Sequence, residues 1–189
     1  YDALGRRVAK IASSGRASTV TRYFYDDARI IEERNFLGMT EATYVYGNYI
    51  DEVLTMDRGG QTFYYHQNAL FSVYALTNAA GIPVERYAYD AYGSATVTDG
   101  VGNPLPPNSW GTPHSAVGNP YLFTGRLLDE ESGLYYYRAR YYDPVKGRFL
   151  QRDPLGYYDG MNLYEYVRGN PIAGTDPSGL GKTVPDDCN

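Results

Sequence analysis

The sequence predicts an all-β protein, an antiparallel strip of hairpins with little helix. Three observations support the strip. Its 22 Tyr, 21 Gly and 11 Pro pair a residue suited to half-buried sheet faces with residues that punctuate turns. A Tyr-Asp motif recurs along the first half of the chain. Between the turns, side chains alternate with the two-residue period of a strand.

The elements follow in order. Tyr1-Asp2-Ala3-Leu4-Gly5 and Tyr89-Asp90-Ala91-Tyr92-Gly93 share Tyr-Asp with Gly four positions after the Tyr, and Tyr25-Asp26 is a degenerate third copy. Asp starts such a turn by accepting backbone N–H bonds, Gly supplies the positive φ, and Tyr anchors the strand before it. Thr19, Thr21, Tyr23 and Tyr25 alternate with Val20, Arg22 and Phe24. Arg58-Gly59-Gly60-Gln61 separates 53–56 from 62–65, and Asn78-Ala79-Ala80-Gly81 separates 73–77 from 84–89, so both read as hairpin turns. Residues 99–118 carry Gly, Pro and Asn in place of a strand pattern and predict an exposed loop, with Trp110 packed on the sheet. The segment 159–169 has the best helix signal. Asp159 is the candidate N-cap, Leu163, Tyr164 and Val167 share a side, and Gly169 is the stop, predicting one or two turns around 162–168.

Composition narrows function. With 43% hydrophobic and 21% charged residues the 189-residue chain is expected to fold around a core. The net charge of −5, with no run of Lys or Arg, argues against nucleic-acid binding. No apolar run approaches the ~20 residues of a membrane span. Residue 1 falls inside a motif, so the chain is expected to be part of something longer and shows no signal peptide. One cysteine, Cys188, leaves no intrachain disulfide, and two histidines, His66 and His114, are poor material for zinc, so no metal or cofactor is expected.

Residues 119–180, NPYLFTGRLLDEESGLYYYRARYYDPVKGRFLQRDPLGYYDGMNLYEYVRGNPIAGTDPSGL, resemble the Rhs repeat-associated core domain nearly word for word. Upstream, Tyr46-Gly47, Asp51-Glu52-Val53-Leu54, YYHQNALFSVYALTNAAG and RYAYDAYG resemble the YD-repeat segments that precede it. The resemblance implies a YD-repeat strip over 1–98, a loop over 99–118, the core domain over 119–180 and a tail over 181–189. It further implies a hollow β-shell that ends in an inward-curling C-terminal plug and surrounds a C-terminal toxin or effector, with upstream shell repeats as partner, in a secreted or exported bacterial protein. In two places the chain departs from the repeat. Arg29 stands where Gly is expected, and Asn68-Ala69-Leu70-Phe71-Ser72 replaces Asp-His-Leu-Gly-Ser, so different turns are expected there.

Three Asp-Pro pairs, Asp143-Pro144, Asp153-Pro154 and Asp176-Pro177, fall in the core domain. Each alone reads as a turn, with Pro fixing φ after the Asp. Two carboxylates brought together could share a proton, one activating water while the other polarises a scissile carbonyl. Asp153 and Asp176 fit this pattern, and an arginine among Arg138, Arg140, Arg148 and Arg152 could orient them. The resemblance selects Asp153, Asp176 and Arg140 as catalytic and implies a cut between Leu180 and Gly181, leaving Asp143 as a turn residue. The chain continues past that bond to Asn189, too short a tail for a toxin.

The leading expectation is therefore encapsulation with single-turnover aspartyl self-cleavage. The alternative is a structural module whose copies pair through exposed strand edges. A trans-acting hydrolase fares worse, because the chain has no GxSxG, HExxH or phosphate loop. For the plug, Tyr135, Tyr137, Tyr141, Phe149 and Leu150 are expected to be buried, with Arg140 pointing inward and paired.

Overall fold

The computed structural model describes residues 1–15, 17–158 and 160–182. Asp159, the candidate helix cap, and Cys188 with the rest of 183–189 lie outside the described residues. Two antiparallel sheets carry the fold. The first runs β1 (Ala9–Ser14), β2 (Ala17–Asp26), β3 (Arg29–Arg34), β4 (Thr40–Tyr46), β5 (Val53–Arg58), β6 (Gln61–Gln67), β7 (Val73–Thr77), β8 (Pro83–Tyr89) and β9 (Ala95–Asp99), each strand paired with its sequence neighbour. The second runs β10 (Leu127–Asp129), β11 (Leu134–Tyr137), β12 (Arg140–Asp143) and β13 (Arg148–Phe149) in the same serial order.

Alternation decides which face of the strip meets the plug. Tyr23, Tyr44, Met56, Phe63, Leu76, Tyr87 and Val97 are buried on one face, while Phe24, Val45, Leu54, Tyr64 and Tyr74 on the other remain exposed. The buried face joins a single apolar cluster with Tyr121, Leu122, Phe123, Leu127, Tyr135, Tyr137, Tyr142 and Phe149 from the plug. Register shifts interrupt the β2–β3, β3–β4, β4–β5, β6–β7 and β7–β8 pairings. Bulges bend a strand and raise its twist, which lets the strip curve around what it covers.

One turn builds most of the connections. At Asp2, Asn35, Asn68, Asn78, Asp90, Asp99 and Asn108 the side-chain oxygen accepts the amide N–H groups two and four residues on, at 2.8–3.1 Å. Ser115 does the same through its hydroxyl, to Val117 and Asn119. The third residue after the capping residue takes positive φ, which Gly supplies at every copy but one. Asn68 is the exception: Phe71 takes φ 62 there, held by stacking on Tyr49 at 4.3 Å. The expectation of a different turn at Asn68 is thus corrected, since an aromatic fills the Gly position of the same turn. At Arg29 the turn does change. Arg29 pairs with Asp26 across a two-residue turn, with Asp27 at φ 51.

Four further expectations are corrected. Residues 162–168 form no α-helix; one 3₁₀ turn, Val167–Gly169, stands there. Asn162 takes the Tyr164 amide on its side chain, Glu165 bridges to Arg148 as strand, and Val167 and Arg168 sit at positive φ. Leu150 is 39% exposed, because only Phe149 of that pair faces the core, and Tyr141 is half-buried. Trp110 is 44% exposed rather than packed away. The second half of the 99–118 loop is docked, not free. Buried Glu85 accepts hydrogen bonds from Ser115 Oγ at 2.7 Å and from the amides of Ala116 and Val117.

Candidate active site

Three segments converge beside the β11–β12 hairpin. Arg140 opens β12 and is buried, with its guanidinium 3.6 Å above the Phe149 ring. Phe149 belongs to an edge-packed group with Tyr137, Tyr142 and Tyr166, a rigid apolar floor that fixes the arginine. One nitrogen of Arg140, Nη2, meets Asp153 Oδ2 at 3.1 Å and Asp176 Oδ2 at 3.2 Å. Its Nη1 donates to Leu163 O at 3.3 Å and its Nε to Gly179 O at 2.5 Å. The structure therefore brings Asp153, Asp176 and Arg140 together. Asp143 stays apart, accepting the Val145 and Lys146 amides and pairing with Lys146.

Each aspartate makes part of the turn that the strip repeats. Asp153 Oδ1 accepts the Leu155 amide at 2.8 Å, with Gly156 at φ 66. Asp176 Oδ1 accepts the Leu180 amide at 3.0 Å and the Ser178 hydroxyl at 3.3 Å, with Gly179 at φ 71. Oδ1 is thus committed to the turn, and Oδ2 of each is free to meet Arg140.

Leu180 and Gly181 are presented to Asp176. The N–H groups of Gly181, Leu180 and Gly179 all bear on its carboxylate. Burial nevertheless outweighs these amides and the Arg140 charge, and lifts Asp176 above its ordinary value. The backbone leading to that bond is held carbonyl by carbonyl. Pro177 O accepts from Arg126 and Arg138, Ser178 O from the Ala139 amide at 3.2 Å, and Gly179 O from Arg140. Sequence reasoning missed Arg126, Asp51 and Leu163 in this neighbourhood. Asp51 pairs with Arg126 and Arg138, yet lies 87 positions from Arg138, with no local pattern to connect them. Among the described residues no group of three or more His, Cys, Asp or Glu is placed to hold a metal ion, and no helix is long and apolar enough to cross a membrane.

Fold and site together define a curved β-strip protein that turns its own C-terminal segment back onto a buried Arg-Asp-Asp cluster. The chain belongs to the Rhs/YD-repeat family of toxin-associated proteins. It is 33% identical over 185 residues to the tRNA3(Ser)-specific nuclease WapA of Bacillus spizizenii, covering 95% of this chain and 7% of WapA. It is 31% identical over 200 residues to the toxin protein Tse5 of Pseudomonas aeruginosa, covering 95% of this chain and 15% of Tse5. The crystal structure of TcdB2-TccC3 matches 95% of the chain and 9% of its own, at 26% identity and a TM-score of 0.68. The chain thus spans only a small part of each relative. No family model matches it.

Proposed function

We propose that the chain is the closing part of a β-shell that encloses a C-terminal toxin or effector, and that it cuts that cargo free after Leu180. The carrying observation is that one Arg140 nitrogen holds both Asp153 and Asp176 while the Leu180 and Gly181 amides lie on Asp176. Asp153, oriented by Arg140, takes a proton from water as the water oxygen attacks the Leu180 carbonyl carbon. Asp176, lifted by burial, gives its proton to the Gly181 nitrogen as the carbon–nitrogen bond breaks. The step happens once per chain and uses neither metal nor cofactor. The kinship with toxin proteins supports an exported protein whose partners are upstream shell repeats and the enclosed polypeptide.

The test compares full-length protein, wild type and with Asp153→Asn, Asp176→Asn or Arg140→Ala, by intact mass. The expected outcome is a wild-type break after Leu180 and none in the variants. A folded wild type that stays whole at every pH removes the protease reading.

A further inference from the structure

We infer that Asp51, Arg126 and Arg138 form a clamp that seats the backbone upstream of the Leu180–Gly181 bond and makes cleavage depend on docking of the strip against the plug. The inference rests on the cleavage reading for its consequence, but not for the existence of the clamp.

Asp51 lies in the turn between β4 and β5, on the strip, and is 2% exposed. Its Oδ1 meets Nη2 of Arg126 and, at 3.0 Å, Nη2 of Arg138. Both arginines belong to the plug, one before β10 and one in the β11–β12 turn. Each turns its other terminal nitrogen, Nη1, onto the same acceptor, Pro177 O, at 3.0 Å from Arg126. One carboxylate of the strip thus fixes two guanidinium groups, and these fix one carbonyl of the segment to be cut. A planar guanidinium can bridge two acceptors in this way, whereas an ammonium is a single point charge.

Two features mark the arrangement as built. Gly125 has no side chain where a Cβ would stand 2.5 Å from Asp51 O, so the plug can close onto the turn. Arg138 sits at φ 56, where Asn or Gly would be the relaxed choice in a hairpin turn. A long cationic side chain in that strained position gives the backbone nothing, while its guanidinium reaches Asp51, Pro177 O and Ala28 O. Arg126 is pushed down to about 9 by burial and by the neighbouring Arg138. Two cations therefore converge on one carboxylate, and the Pro177 carbonyl supplies the remaining acceptor. Losing the strip would remove Asp51 and leave the arginines to repel each other, releasing Pro177. None of the three touches the reacting atoms, so all act as positioning residues. Displacing a held substrate by about 1 Å can cost roughly 100-fold in rate.

The experiment uses full-length protein and two independent readouts. In an Asp153→Asn background, expected to be uncut, amide exchange of 178–181 is compared with and without Arg138→Asn, a change that relaxes the turn. Faster exchange there, with the thermal midpoint kept, supports the clamp; unchanged exchange overturns it. In the otherwise native protein, Arg138→Asn, Arg138→Lys and Asp51→Asn are expected to slow cleavage roughly 100-fold, leaving the cut after Leu180 and the pH profile unmoved. Full rescue by Arg138→Lys, or rates equal to wild type, overturns the positioning role. A wild type that never cuts ends the protease reading alone, because the exchange readout still decides the clamp.

Discussion

Asp176 repeats the turn of Asn78: in each, the side-chain Oδ1 accepts the amide of the residue four positions on at 3.0 Å, Leu180 in one and Ile82 in the other. The residue third in line is a Gly at positive φ in both, Gly179 and Gly81. The candidate site is therefore an ordinary strip turn that has been buried and given an arginine. What distinguishes Asp176 is its second oxygen, which faces Arg140 at 3.2 Å.

This equivalence makes asparagine a clean probe. Asn35, Asn68, Asn78 and Asn108 already make the turn, so Asp153→Asn and Asp176→Asn should keep it and lose only the charge. Both are expected to fold and to remain uncut. Asn78→Ala, by contrast, strips an acceptor from two amides and should cost about 1 kcal/mol, as loss of a helix cap does, without touching cleavage. Urea denaturation and intact mass on the same samples check the pair of outcomes.

Arg140→Ala should be the most damaging single truncation in the plug. It leaves Asp153 and Asp176 buried without their cation and uncovers the Phe149 face. Removing one partner of a buried ion pair costs about 3–5 kcal/mol. Denaturant midpoints should show a loss of that size, and a loss near that of a surface substitution would mean the two carboxylates are not held as described.

The pH dependence has a defined sign. Burial raises Asp176 from its ordinary 3.8, so between that value and the folded one the native state binds more protons than the unfolded chain. Its contribution to stability is fully present below 3.8 and falls as pH rises through the folded value. Cleavage that draws its proton from Asp176 should slow over the same window. Asp176→Asn should lose this stability slope, and a variant that titrates like wild type there would sink the assignment.

Much of the strip was legible because its information is local. Asx residues, positive-φ glycines and two-residue alternation each act within a few positions, so the hairpin turns at 58–61 and 78–81 could be read directly. The plug was harder to read for the opposite reason. Leu163, Tyr164 and Val167 have helical spacing, but Asn162 captures the Tyr164 amide and Glu165 pairs with Arg148, so tertiary partners override the local pattern. The pairing of Arg140 with both aspartates was expected from the family pattern. The Asp51 pairing was not, since nothing near Asp51 in sequence records two arginines brought to it from another sheet.

Gly179 is where backbone conformation and site geometry meet, and Gly179→Ala should break the candidate site without altering any charge. Its φ of +71 is a conformation in which a Cβ is strained, by about 1–2 kcal/mol. The space is also closed, since a Cβ would stand 2.2 Å from Tyr137 O and 3.2 Å from Arg140 N. Both atoms are backbone of the β11–β12 hairpin and cannot rotate away, so the 177–180 segment must lift. Lifting it withdraws Gly179 O from Arg140 and the Leu180 amide from Asp176. Gly81→Ala shares the positive φ, at 76, but meets nothing within 4 Å, so it reports the cost of the conformation alone. The expected outcome is that Gly81→Ala loses only about that cost, while Gly179→Ala loses more and alone, in full-length protein, remains uncut after Leu180. Cleavage of Gly179→Ala at the wild-type rate would show that the bond is not presented by this turn.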